Sequence, residues 1–94
     1  MDVRDQLTEK ITEVLTTIEG YKNLNGITWF YEEATTVLFR LQEKVINGEK
    51  IKLELQNSLF YLITITDRLS EDSILSKQLW KIDSLIKDYI WERF

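Results

Sequence analysis

With neither histidine nor cysteine in the chain, chemistry would have to come from carboxylates, lysines, tyrosines and serines. Imidazole general bases, thiolate nucleophiles, disulfides, Cys/His zinc sites and the Glu-x-x-His pairs of di-iron bundles are all excluded. Among the acids, Glu9 and Glu13 stand one helical turn apart, and Glu32 and Glu33 could approach them if the first two helices pack side by side. A helical magnesium site needs such carboxylates repeated on facing turns, and no Glu-x-x-Glu or Glu-x-x-Asp follows on the later helices. The chain has no Gly-x-x-x-x-Gly-Lys or Gly-x-Gly-x-x-Gly cradle for phosphates, and no Gly-x-Ser-x-Gly elbow. The expectation is a protein that is not an enzyme, with no catalytic residue, cofactor or metal.

Charge excludes further classes. Twelve basic against sixteen acidic residues give −4. Lys44, Lys50 and Lys52 gather near one another but are interleaved with Glu43, Glu49 and Glu54, so no cationic stripe is offered to phosphates and no direct nucleic-acid binding is expected. Residues 1–33 hold seven acids (Asp2, Asp5, Glu9, Glu13, Glu19, Glu32, Glu33) against three bases (Arg4, Lys10, Lys22), which is the whole net charge, while the remainder balances. The acids of the first helix fall on its polar side, as either a solvated face or a patch for a basic partner. No twenty-residue apolar run occurs and no basic segment precedes an apolar stretch, so neither a membrane span nor a secretory signal is expected, and the expected location is the cytoplasm.

The elements follow from punctuation and periodicity. There is no proline, and the turn chemistry collects at Gly20–Gly26, at Asn47-Gly48 and at Ser70-Glu71-Asp72-Ser73. Four segments of about 17 to 20 residues remain, with helices expected at about 3–19, 28–46, 50–69 and 73–92. Val3, Leu7, Ile11, Val14 and Ile18 make a narrow stripe on the first; Ile27, Phe30, Ala34, Val37, Leu38, Leu41 and Val45 an arc on the second. Ile51, Leu55, Leu59, Leu62, Ile65 and Leu69 line the third, and Leu75, Leu79, Ile82, Leu85, Ile86 and Tyr89 the fourth. A strand over 59–66 would suit the local residues, but it would have nothing to pair with. Short connections between similar helices predict one all-α domain over 1–94, an antiparallel up-down-up-down four-helix bundle.

Three helices carry apolar residues that a bundle core does not require. At about 100° per residue, Leu53 and Phe60 fall roughly 160–180° from the main stripe of the third helix, with Ile63 between the two faces. Trp80 and Trp91, eleven residues apart, point together away from Ile82, surrounded by Lys77, Ser84, Lys87 and Asp88. Phe39 and Ile46 leave the second arc beside Glu32 and Glu43, and Trp29 leaves it on another side. Such side chains either wrap neighbouring helices or form a contact surface for another protein, where tryptophan is a preferred anchor.

The segment Leu55-Gln56-Asn57-Ser58-Leu59-Phe60-Tyr61-Leu62-Ile63-Thr64 resembles the third-helix region of the enterocin-type bacteriocin immunity proteins. The resemblance covers that segment and the overall architecture, and implies a four-helix bundle that protects against a toxin. The leading expectation is therefore an immunity or antitoxin-type protein that neutralises a toxin by direct binding. Trp80, Trp91, Phe39, Leu53 and Phe60 would supply contacts, and Glu9, Glu13, Glu32 and Glu33 would steer a basic partner. The alternatives are a self-associating, homodimeric structural or regulatory bundle, and a phage- or plasmid-encoded inhibitor of a host enzyme.

Overall fold

The computed structural model describes residues 2–22, 28–69 and 74–93, with the side chains of residues 21, 22, 28, 29, 69 and 93 outside that description. Four helices account for it: α1 (Val3–Lys22), α2 (Thr28–Ile46), α3 (Leu53–Leu69) and α4 (Ile74–Arg93), with no strand among the described residues. Close backbone approaches join α1 to α2, α2 to α3, α3 to α4 and α4 back to α1, with none across either diagonal. That ring is an up-down-up-down bundle measuring 38 × 21 × 20 Å. The expected fold class is the one observed, and residues 59–66 lie within a helix. The Ser70–Ser73 break, Ile27 and the side chains of Trp29 and Leu69 fall outside the described residues.

One apolar stripe per helix converges on a single core. Leu7, Ile11, Val14 and Ile18 meet Phe30, Ala34, Leu38, Leu41 and Val45 from α2, Leu59 and Leu62 from α3, and Leu79, Ile82 and Ile86 from α4. One expected stripe shifts, that of α3. Ile63 is fully buried rather than intermediate, whereas Leu55 and Ile65 are only partly buried. Burial on α3 therefore centres on Leu59, Leu62, Ile63 and Thr66. Thr66 can occupy the core because its hydroxyl donates to the Leu62 carbonyl at 2.7 Å.

Helix ends are set by local chemistry. α1 continues through Gly20 to Lys22, past its expected end, since an isolated glycine weakens a helix without breaking it. α2 ends in a Schellman motif at Gly48, the position with φ of 70°. The amide of Glu49 donates to Lys44 O at 2.8 Å and that of Gly48 to Val45 O at 3.1 Å. α3 starts at Leu53 instead of residue 50. Ile51 thus lies in the connection, yet it is buried beneath the bundle, and Lys52 O accepts the first helical bond from Gln56 N at 3.2 Å.

Two long side chains fasten this connection. Arg4 of α1 donates its guanidinium to the last carbonyls of α2, from Nε to Val45 O at 3.0 Å and from Nη2 to Ile46 O. A cation there also meets the negative end of the helix dipole. Tyr89 of α4 donates its hydroxyl to Glu49 O at 2.7 Å. The start of α1 thus sits at the end of α2, and the end of α4 beside the α2–α3 connection, which establishes the antiparallel order.

Candidate interaction surface

Position on the bundle sorts the candidate residues into two groups on opposite faces. In the ring of helices, the outer face of α1–α2 lies opposite that of α3–α4.

On α1, Glu9 points roughly 180° from the buried stripe, with Asp5 and Glu13 about 40° to either side. All three are exposed, as are Glu19, Glu32, Glu33 and Glu43. Thr12 and Gln42 close the seam beside them, Nε2 donating to the threonine hydroxyl at 2.9 Å. Phe39, 56 % exposed, and Ile46, 50 % exposed, stand roughly 130–150° from the α2 core stripe and on the α1 side of it. The basic residues nearby are turned to other tasks. Arg4 caps α2, Lys10 pairs with Glu13 at 3.2 Å, Lys44 pairs with Glu49 at 3.5 Å, and Arg40, Glu43 and Lys44 line a groove toward α3. This leaves a carboxylate-rich outer face with two apolar side chains standing in it.

The four candidate glutamates do not form one cluster. The Arg4 and Thr12–Gln42 contacts fix the register of α1 against α2, and place Glu32 and Glu33 roughly 10–20 Å further along the axis than Glu9 and Glu13. Glu13 also leans toward α4, where Gln78 Nε2 donates to it at 3.2 Å. Among the described residues, no group of three or more potential ligands is close enough together to hold a metal ion. These carboxylates thus supply a spread field and not a coordination site.

The second group lines the α3–α4 seam. Leu53 and Phe60 lie on the edge of α3 that faces α4, not directly opposite the core as their spacing suggested. The reason is that burial on α3 extends to Ile63 and Thr66, which moves the centre of its core face. Phe60 meets Trp80 edge-to-face, with ring centroids 6.3 Å apart and planes at 84°. Asp67, one further residue on the same edge, accepts from the Trp80 indole N–H at 3.3 Å and from the Ser76 hydroxyl. Trp80, 45 % exposed, is therefore half built into the seam. Trp91 is 89 % exposed and shares its face. The two tryptophans are alike in direction and unlike in environment. Asp67 was missed in the sequence, although its seven-residue spacing from Phe60 places both on one edge.

A partner that docks on one flat face touches one group or the other, because Phe39 and the carboxylates look away from Trp80, Trp91, Leu53 and Phe60. Two grooves lie between these faces. One, of about 370 Å³ along α2–α3, is lined by Arg40, Glu43, Lys44, Lys52, Glu54, Leu55 and Ser58. The other, of about 220 Å³ along α1–α4, includes Glu9, Glu13, Lys81 and Leu85. Charges of both signs alternate around each, so neither selects an ion of one sign. No helix among the described residues is long and apolar enough to cross a membrane. Comparison with family models, curated proteins and solved structures gives no match. Fold and surface together define a small antiparallel helical bundle with two chemically distinct outer faces.

Proposed function

We propose that this chain is a non-catalytic binding module of the immunity or antitoxin type, which neutralises a basic toxin in the cytoplasm by covering it with the α1–α2 face. The observation that carries this is the carboxylate field of Asp5, Glu9, Glu13, Glu19 and Glu32 on the face that bears the outward Phe39. Field and anchor have separate tasks. Charge complementarity raises the association rate and rejects acidic competitors, while a desolvated aromatic anchor slows dissociation. Helices suit the task because their backbone is already ordered, so little backbone entropy is lost on docking. The resemblance of residues 55–64 to immunity proteins supports a toxin as the partner, and the lack of histidine and cysteine supports binding over catalysis.

The test is protection. Cells expressing this chain are challenged with a panel of cationic bacteriocins and basic nuclease toxins, and binding to any toxin relieved is measured by calorimetry at low and high salt. One toxin should be neutralised, with affinity falling as salt rises. The combined variant Glu9→Lys, Glu32→Lys, Phe39→Ala should lose protection while keeping its helicity. Protection undiminished in that variant would overturn the assignment of this face.

A further inference from the structure

We infer that the α3–α4 face is the contact between two copies of this chain, joined about a two-fold axis. Three observations select a second copy as its occupant.

The first is charge. The net charge of −4 resides in residues 1–33, whose described acids sit on α1 and α2, on the far side of the bundle. Joining two copies through α3–α4 keeps those acids as far apart as the molecule allows. Joining them through α1–α2 would press like charges together. The middle of the apolar strip carries no charge, with exposed Asn57 and Ser84 there; Lys87, paired with Asp83 at 3.1 Å, and exposed Lys77, Asp88 and Asp67 stand at its margin. Depletion of charge is the mark of an interface core.

The second is geometry. The Phe60–Trp80 and Asp67–Ser76 contacts fix the register of α3 against α4, and bring Asn57 level with Ser84. Those two residues lie midway between Leu53 and Phe60 on one helix and between Trp80 and Trp91 on the other. A two-fold axis at that level carries the projecting Trp91 of each copy onto the Phe60–Trp80 pair of the other. The patch is thereby complementary to itself, as an isologous interface requires.

The third is area. At their exposures, Leu53, Phe60, Trp80 and Trp91 offer roughly 500 Å² of apolar surface per copy, and pairing covers roughly 1,000 Å² in total, near the lower bound of specific interfaces. The dimer is accordingly a weak, reversible one. It uses none of the residues assigned to toxin binding and stands independently of that proposal.

Sedimentation equilibrium of the intact chain tests it, from about 10 µM to about 1 mM. The expected weight-average mass rises from 11.2 kDa toward twice that value, and Trp91→Ala weakens association by at least about thirtyfold. Trp91 is exposed enough for this variant to fold, which far-UV circular dichroism verifies. Phe39→Ala should leave the association unchanged, and added salt should not weaken it. A mass of 11.2 kDa throughout, or an association that Trp91→Ala leaves intact, overturns the inference.

Discussion

Trp80 and Trp91 share a helix face, yet their replacement by alanine should have very different effects on folding. A tryptophan can bury on the order of 200–250 Å². Trp80 is 55 % covered by the rest of the chain, taking the complement of its 45 % exposure. At about 25 cal/mol per Å², that coverage is worth roughly 2–3 kcal/mol as an upper estimate, once the carbon retained by alanine is set aside. The bond from its indole to Asp67 adds about 1 kcal/mol at most, since the site is open to water. Trp91 is only 11 % covered by the same reckoning, worth less than about 0.5 kcal/mol. Urea unfolding followed by far-UV circular dichroism, at a concentration low enough to keep the protein monomeric, measures both. Trp80→Ala should lower stability by about 2–3 kcal/mol with an unchanged m-value, and Trp91→Ala by less than about 0.5 kcal/mol. Equal losses would refute the distinction between a seam residue and a free one.

The connection at the base of the bundle yields the other predictions. Gly48→Ala forces a side chain onto a φ of 70° and should cost about 1–2 kcal/mol, whereas Gly20→Ala, where a Cβ meets nothing within 4 Å, should stabilise α1 by about 0.5–1 kcal/mol. Thermal melts of the pair should therefore move in opposite directions. Tyr89→Phe removes the bond to Glu49 O and should cost about 1 kcal/mol, which lowers the melting temperature by roughly 4–8 °C. Faster amide exchange at residues 48–52 would accompany that loss, and an unchanged melt would show the bond to be idle. Arg4→Ala strips the charged donor from the end of α2 and should cost about 1–2 kcal/mol by the same measurement.

Much of the fold was legible in the sequence because a helix bundle is written in local periodicity. The steps of three and four through Leu7, Ile11, Val14 and Ile18 are enough to specify a buried stripe, and Asn47-Gly48 spells a helix end. Which side of a stripe meets which neighbour was less legible, since that depends on the order of helices around the ring. Leu53 and Phe60 are exposed, as rotation suggested, but α4 lies beside that edge and receives Phe60 against Trp80. The four glutamates looked like a possible cluster for the same reason: adjacency of α1 and α2 was readable, but not the axial register that Arg4 and Gln42 impose. Tertiary hydrogen bonds such as Tyr89 to Glu49, forty residues apart, leave no periodic trace at all.

The separation of the two faces is tested most directly by comparing two variants in the protection assay against the toxin that the chain relieves. One carries Glu9→Lys, Glu32→Lys and Phe39→Ala; the other carries Trp91→Ala. Protection lost in the first and retained in the second is the predicted result. Protection lost through Trp91→Ala and retained in the charge-reversed variant would place the toxin on α3–α4 and contradict the account.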